Sequence, residues 1–368
     1  MISSFLISAA VSGIIAEYNS ILGEWINDPH GGGPQKFHTK PTPRVGGIGV
    51  FLGVALGLLL FGWRQRESAQ QAILLLLSSL PAFVAGLGED ITKQVPVRVR
   101  LTLCLLSGTL VFFLLEGEIT RTGVPLLDHI LNSAPLSLAF TMLAIGGYAN
   151  AINIIDGFNG LAGGVCVIIL CGLAYVCYRV DDWFLLYSCI VVLVSVLGFL
   201  VWNYPSGRIF LGDGGAYFLG FALGTISVLL VHRHPTVSPW FPVLLAIYPV
   251  WETLFSIYRR QLLRGASAGN ADRLHLHSLI YKRVLKASCK KNEGDRCVLN
   301  STTSVYLWFF SLISFIPAVI FWQETPALQI FTLSWIVFYI WLYASIVRFK
   351  TPIWFKLNLK PNFHGIRT

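Results

Sequence analysis

The chain has 368 residues, 55% of them hydrophobic and only 12% charged, and its mean hydropathy is +0.66. Soluble domains carry roughly 25% charged residues, so an ordinary soluble domain is excluded and an all-α, polytopic integral membrane protein is expected. The formal charge of +9 then records loop orientation, and no nucleic-acid partner is expected.

A membrane span needs about 20 apolar residues. Eleven segments qualify: about 2–18, 46–62, 71–88, 99–115, 136–154, 163–178, 183–202, 216–231, 238–257, 303–322 and 328–347. The first has no basic leader and no small-residue cleavage site, so it reads as a retained span, not a signal peptide. A single transmembrane unit over 1–368 is expected, with its chemistry in loops at about 19–45, 89–98, 155–162, 203–215 and 258–302. Of the 27 Lys and Arg, all but Arg64, Arg66, Arg121, Arg179 and Arg233 fall in the odd-numbered loops and the C-terminal tail. The positive-inside rule places those loops in the cytoplasm, the N-terminus outside and the C-terminus inside. Cys104, Cys166, Cys171, Cys177 and Cys189 lie within apolar runs, and no C-x-x-C pair occurs. They read as buried small hydrophobes, not as disulfides or metal ligands.

In chain order, the first loop carries His38-Thr39-Lys40-Pro41-Thr42-Pro43-Arg44, then Gly46-Gly47. The third carries Glu89-Asp90, with Arg98 and Arg100 at the mouth of the next span, where long side chains snorkel to the interface. The fifth is NAINIIDGFNGLAGG, from Asn150 to Gly164. Its Asn150, Asn153, Asp156 and Asn159 are spaced three apart, so the first three share a helical face. Its glycines suit a turn or a close approach to a ligand. The seventh holds Phe210-Leu211-Gly212-Asp213-Gly214-Gly215 and the ninth Asp272-Arg273-Leu274-His275-Leu276-His277. All five lie on one side of the expected topology, which implies one composite site.

Singly, each motif also has a bland reading. Glu89-Asp90 is an ordinary acidic pair, Asp213 between glycines a tight turn, Lys40 and Arg44 membrane anchors, and the histidines structural. Together they combine hard oxygen donors with phosphate-binding cations. One or two carboxylates plus substrate phosphates is how Mg²⁺ is usually held, and Arg and Lys bind phosphate. The combination indicates phosphoryl transfer, in which positioning and charge neutralisation dominate. A site opening on lipid indicates a lipid phosphate as one substrate.

With these residues in view, the chain resembles the bacterial polyprenyl-phosphate N-acetylhexosamine-1-phosphate transferases, of the glycosyltransferase family 4 type. These are relatives of phospho-N-acetylmuramoyl-pentapeptide transferase. The resemblance runs from about Phe37 to about Lys282. It is carried by HTKPTPRVGG, the acidic pair with V-R-V-R-L, NAINIIDGFNGLAGG, FLGDGGAYFLGF and DRLHLH, in that order. It implies transfer of a sugar 1-phosphate from a UDP-N-acetylhexosamine to undecaprenyl phosphate, with release of UMP. Mg²⁺ is the implied cofactor, with Mn²⁺ the alternative. Catalysis is expected of Glu89, Asp90, Asp156 and His275. Substrate binding is expected of Lys40, Arg44, Arg98, Arg100, Asn150, Asn159, Arg273 and His277, and metal binding of Asp213 and Asn153. The implied location is the bacterial inner membrane, among membrane lipids, with the site facing the cytoplasm. The implied process is the first step of a surface polysaccharide, as in lipopolysaccharide O-antigen, capsule or other cell-wall biogenesis.

Three positions depart from the family pattern: Glu89 for the first Asp of the pair, Asn159 for a frequent Asp, and Ser278 after His277. The alternatives are a transporter or flippase, which predicts charges at the bilayer midplane and inverted repeats, and an inactive carrier-binding protein. The sequence names neither the donor sugar nor the oligomeric state.

Overall fold

The computed structural model describes residues 1–18, 27–28, 42–264, 274–285, 293–352 and 355. Apart from a two-residue antiparallel pairing of Asn27–Asp28 with Thr42–Pro43, the regular structure among them is helical. Without water in the bilayer, each span must satisfy its own backbone, and the helix does so residue by residue. The helices are α1 Ile2–Glu17, α2 Gly47–Arg64, α3 Arg66–Thr92, α4 Val97–Leu114, α5 Pro125–Leu131, α6 Ala134–Ile155 and α7 Leu161–Arg179. They continue as α8 Trp183–Asn203, α9 Gly212–Arg233, α10 Trp240–Leu245, α11 Ile247–Arg264, α12 Leu276–Leu279, α13 Glu293–Ile320 and α14 Thr325–Val347. A π-helical stretch, Ile280–Leu285, follows α12 directly.

Among the described residues, 9 helices are long and apolar enough to cross a membrane, and α1 is a shorter apolar helix. The chain is therefore all-α and polytopic, as expected. Three boundaries differ from the sequence reading, each for a local reason. The segment 238–257 is not one helix: the chain turns at Ala246, between α10 and α11. Glu89 and Asp90 lie on the last turn of α3 and not in a loop, because α3 runs on to Thr92 before Lys93 closes it with a left-handed backbone. Asp213 lies in the first turn of α9 and not in a loop, because that helix starts at Gly212.

Helix α9 forms the centre, packing against α6, α3 and α2. In its apolar window 94% of the residues are buried. Helix–helix packing in membranes relies on close backbone approach at small residues, since lipid is as apolar as Leu. Gly86 shows this where it matters. A methyl group there would sit on the Asp213 carbonyl and the Gly214 amide. Only a glycine lets α3 press against the start of α9, and Asp90, one turn on, then reaches that helix end.

Candidate active site

The site grows from the N-terminus of α9. The first N–H groups of any helix have no partner within it. Here two of them find Asp90: Asp213 N–H donates to Oδ1 at 2.9 Å and Gly214 N–H to Oδ2 at 2.8 Å. Asp90 is buried, and a carboxylate at a helix N-terminus is favoured by both capping and the helix dipole. It caps a helix other than its own.

The first loop is fastened to the same place. Phe210 N–H donates to Pro43 O at 2.8 Å, Gly46 N–H to Phe210 O at 3.0 Å and Gly47 N–H to Leu211 O at 2.9 Å. The chain must then turn sharply into α9. Gly212 does this with φ at +75°, and a side chain there would strike the Arg44 carbonyl and the Asp90 carboxylate. Gly212 is thus a position where a β-carbon has no room.

Asp213 points into the resulting pocket of charge. Its Oδ1 lies 3.4 Å from the Arg44 guanidinium and accepts from the Asn153 amide at 3.0 Å, while its Oδ2 is bonded by Arg100. Arg44 also lies 3.9 Å from Asp90. Asn153 arrives from the last turn of α6, and Asp156 follows as its C-cap. Loss of solvent pushes the Asp156 carboxyl up to about 7; Arg44 and the Gly212 amide pull it down, and Asp213 pushes it up. Glu89 faces the loop after α3, accepting from Val95 N–H at 2.8 Å.

The histidines form a second group beside the first. His275 and His277 stack with ring centroids 5.1 Å apart, and His277 meets Phe158 edge-on at 5.4 Å. Phe158 belongs to the turn directly after Asp156, so this turn joins the two groups. His275 Nδ1 bonds Glu252 at 2.9 Å. Sequence reading passed over Glu252; the available signal was a lone carboxylate in the apolar run Tyr248 to Ile257.

The structure thus brings together Arg44, Asp90, Arg100, Asn153, Asp156 and Asp213, with Glu89 at the edge and His275 and His277 alongside. Arg98 is exposed on the surface of α4, and Asn150 sits one turn before Asn153 on α6. Asn159 is placed elsewhere. It is buried, donates to Pro205 O at 3.0 Å, and receives Ser304 on its carbonyl at 2.6 Å. Its own N–H donates to Asn300 Oδ1 at 2.8 Å. These contacts tie the fifth loop to the seventh and to α13. Lys40 and Arg273 lie outside the described residues.

Among the described residues, no three His, Cys, Asp or Glu side chains converge as a ready-made metal site. A cation would draw on the Asp213 carboxylate and the Asn153 oxygen, which a half-turn of the amide presents. The remaining ligands would come from substrate and water, an arrangement that suits Mg²⁺ and its reluctance to dehydrate.

The model of glycosyl transferase family 4 matches residues 72–231, from α3 to the end of α9. The chain is 32% identical over 245 residues to a probable undecaprenyl-phosphate N-acetylglucosaminyl 1-phosphate transferase of Bacillus subtilis, the aligned part being 66% of each chain, just under two thirds. It is 30% identical over 233 residues to the phospho-N-acetylmuramoyl-pentapeptide-transferase of Lactobacillus johnsonii, covering 60% of this chain and 70% of that one. An undecaprenyl-phosphate alpha-N-acetylglucosaminyl 1-phosphate transferase of Thermotoga maritima is 25% identical over 252 residues, covering 68% of this chain and 72% of that one. With its many apolar helices the protein is a multi-pass membrane protein, and the chain belongs to glycosyl transferase family 4.

Proposed function

We propose that this protein transfers a sugar 1-phosphate from a UDP-N-acetylhexosamine to undecaprenyl phosphate, giving an undecaprenyl-diphosphate sugar and UMP. The observation that carries this reading is Asp213 held between Arg44, Arg100 and Asn153 at a capped helix end. Such a site offers hard oxygens to a cation and guanidinium groups to phosphates. The names of the relatives support the substrate classes.

In the reaction, an oxygen of the carrier phosphate forms a bond to the β-phosphorus of the donor. The bond from that phosphorus to the bridging oxygen breaks, and the bridging oxygen leaves with UMP. Mg²⁺ bound with the donor diphosphate would neutralise charge on its oxygens, and Asp213 and Asn153 are the residues that would hold it. Arg44 and Arg100 are then drawn from Asp213 to the phosphates, where guanidinium binds two oxygens at once. The carrier phosphate has a second pKa near 6 and is already largely ionised at neutral pH. Asp90, with both oxygens occupied by backbone N–H groups, acts by shaping the site, and Glu89 orients the incoming headgroup. Asp156 and the histidines close on the donor from the other side.

The same reading places the site on the cytoplasmic side of the bacterial inner membrane, with the N-terminus outside. The step would begin a surface polysaccharide, either O-antigen or capsule. The test is UMP release by purified protein with undecaprenyl phosphate, a panel of UDP-N-acetylhexosamines and Mg²⁺, with and without EDTA. Release that requires lipid, donor and metal is the expected result and names the sugar. No release with any donor, from folded protein that still binds the lipid, would overturn it in favour of a carrier-binding role.

A further inference from the structure

Glu252 is fully buried on α11 and is the sole charged residue in positions 247–257. A carboxylate in such a place is costly unless every lone pair is used. Glu252 meets that condition through the histidine motif and the last helix. Its Oε1 bonds His275 Nδ1 at 2.9 Å. Both its oxygens receive Leu276 N–H, at 3.2 and 3.3 Å. Its Oε2 accepts from the Tyr339 hydroxyl of α14 at 2.7 Å.

A second connection runs beside the first. Arg259, two turns on along the same face of α11, donates to the Leu274 carbonyl at 2.9 Å and to the Tyr343 hydroxyl at 2.7 Å. Tyr343 also donates to the Leu274 carbonyl, at 3.1 Å. Tyr339 and Tyr343 are four apart and so share a face of α14. The two connections differ in what they hold. Arg259 and Tyr343 hold the motif at the Leu274 carbonyl. Glu252 grips the imidazole at the atom that decides its tautomer.

We propose that Glu252, itself oriented by Tyr339, is a positioning residue that fixes the Nδ1–H form of His275 and so presents Nε2 to the substrates. An ionised carboxylate has no proton to give, so Nδ1 must be the donor. The ring plane is set at the same time, parallel to His277. Residues 252, 339 and 343 all lie beyond the segment 72–231 that the family model matches. This inference rests on the proposed transfer reaction for its kinetic consequences but not for its structural one.

The charged and titratable groups facing the pair are His277 on the motif itself, Tyr248 on α11 and Tyr339 on α14. Glu252→Gln keeps the shape and removes the charge; Tyr339→Phe keeps the ring and removes one hydrogen bond. In full-length protein in detergent, the ¹⁵N signals of the His275 ring report the tautomer directly. We expect the Nδ1–H form in wild type, a mixture in Glu252→Gln and a smaller change in Tyr339→Phe. Tyr343→Phe, which alters a backbone contact, is expected to leave the His275 signal in place.

In the UMP-release assay, Glu252→Gln should lower kcat about tenfold or more, the order of effect when a histidine loses the carboxylate that orients it, with little change in KM for the carrier. An unchanged His275 signal in folded Glu252→Gln overturns the proposal. If that variant does not fold, an unchanged signal in Tyr339→Phe overturns it. Wild type that releases no UMP refutes the reaction and leaves the tautomer measurement to decide this inference separately.

Discussion

At the scale of single residues, two aspartates that look alike in sequence have different surroundings. Asp90 spends both oxygens on the backbone of α9, whereas Asp213 meets side chains that can be exchanged for substrate and metal. Asp90→Asn can accept from only one of the two N–H groups, and loss of a capping contact costs about 1 kcal/mol. It should lower the melting temperature as well as UMP release. Asp213→Asn should abolish release, by about a hundredfold or more for an electrostatic catalytic group, with the melting temperature nearly unchanged. A variant of Asp213 that keeps most of its activity would remove it from the metal role. Asp156 gives a pH test. Its folded-state carboxyl, raised to about 7, ionises later than in the unfolded chain, so the charge weighs against folding as pH rises from the ordinary carboxylate range to about 7. The melting temperature of Asp156→Asn relative to wild type should therefore climb from pH 5 to pH 7 and level off by pH 8. A flat difference would show that this carboxyl ionises in the ordinary carboxylate range.

At the scale of elements, α9 is held at both ends by other parts of the chain. At the site end, contact with α3 depends on Gly86. Adding a methyl where backbone already lies typically costs about 1–3 kcal/mol. Gly86→Ala should therefore lower the melting temperature by several degrees and reduce UMP release by displacing Asp90. Its effect on release should exceed that of an equally destabilising change elsewhere. At the other end, Arg121 donates to the carbonyls of Val231, His234 and Val237 at 2.9, 3.3 and 2.9 Å. Charged hydrogen bonds contribute about 1.5–3 kcal/mol. Arg121→Ala should lower the melting temperature and leave the KM of both substrates as it was.

At the scale of the whole molecule, the helix ends that carry chemistry gather at one end of the bundle. The proposed orientation follows from where Lys and Arg fall, and it can be tested without turnover. Cys171 is exposed, unlike the other four cysteines of the apolar runs, so in protein with Cys171, Cys289 and Cys297 replaced by Ser, Asp181→Cys and Ser206→Cys each place one accessible thiol at opposite ends of α8. A membrane-impermeant thiol reagent on intact cells should label position 181 and reach position 206 only after permeabilisation. The reverse pattern would put the site outside and end the cytoplasmic assignment.

The sequence by itself determined the all-α membrane class, most of the spans and the five clusters, because hydropathy and glycine-rich polar motifs are local properties that survive without tertiary context. The helical period puts Asn150 and Asn153 one turn apart on α6, but Asp156 lies just past the end of that helix, where the period no longer applies. Tertiary structure alone decided which groups touch. Asp90 caps a helix more than a hundred residues away in sequence, a pairing that depends on how closely α3 can approach α9. Asn159, grouped with the site by its spacing, sits in a turn where the helical period no longer applies, and its amide is spent on Pro205. Glu252 was invisible as a partner of His275 because the contact exists only once the motif folds back onto α11. The break at Ala246 was hidden for a related reason: hydropathy averages over a window, while a turn is made by one residue's backbone.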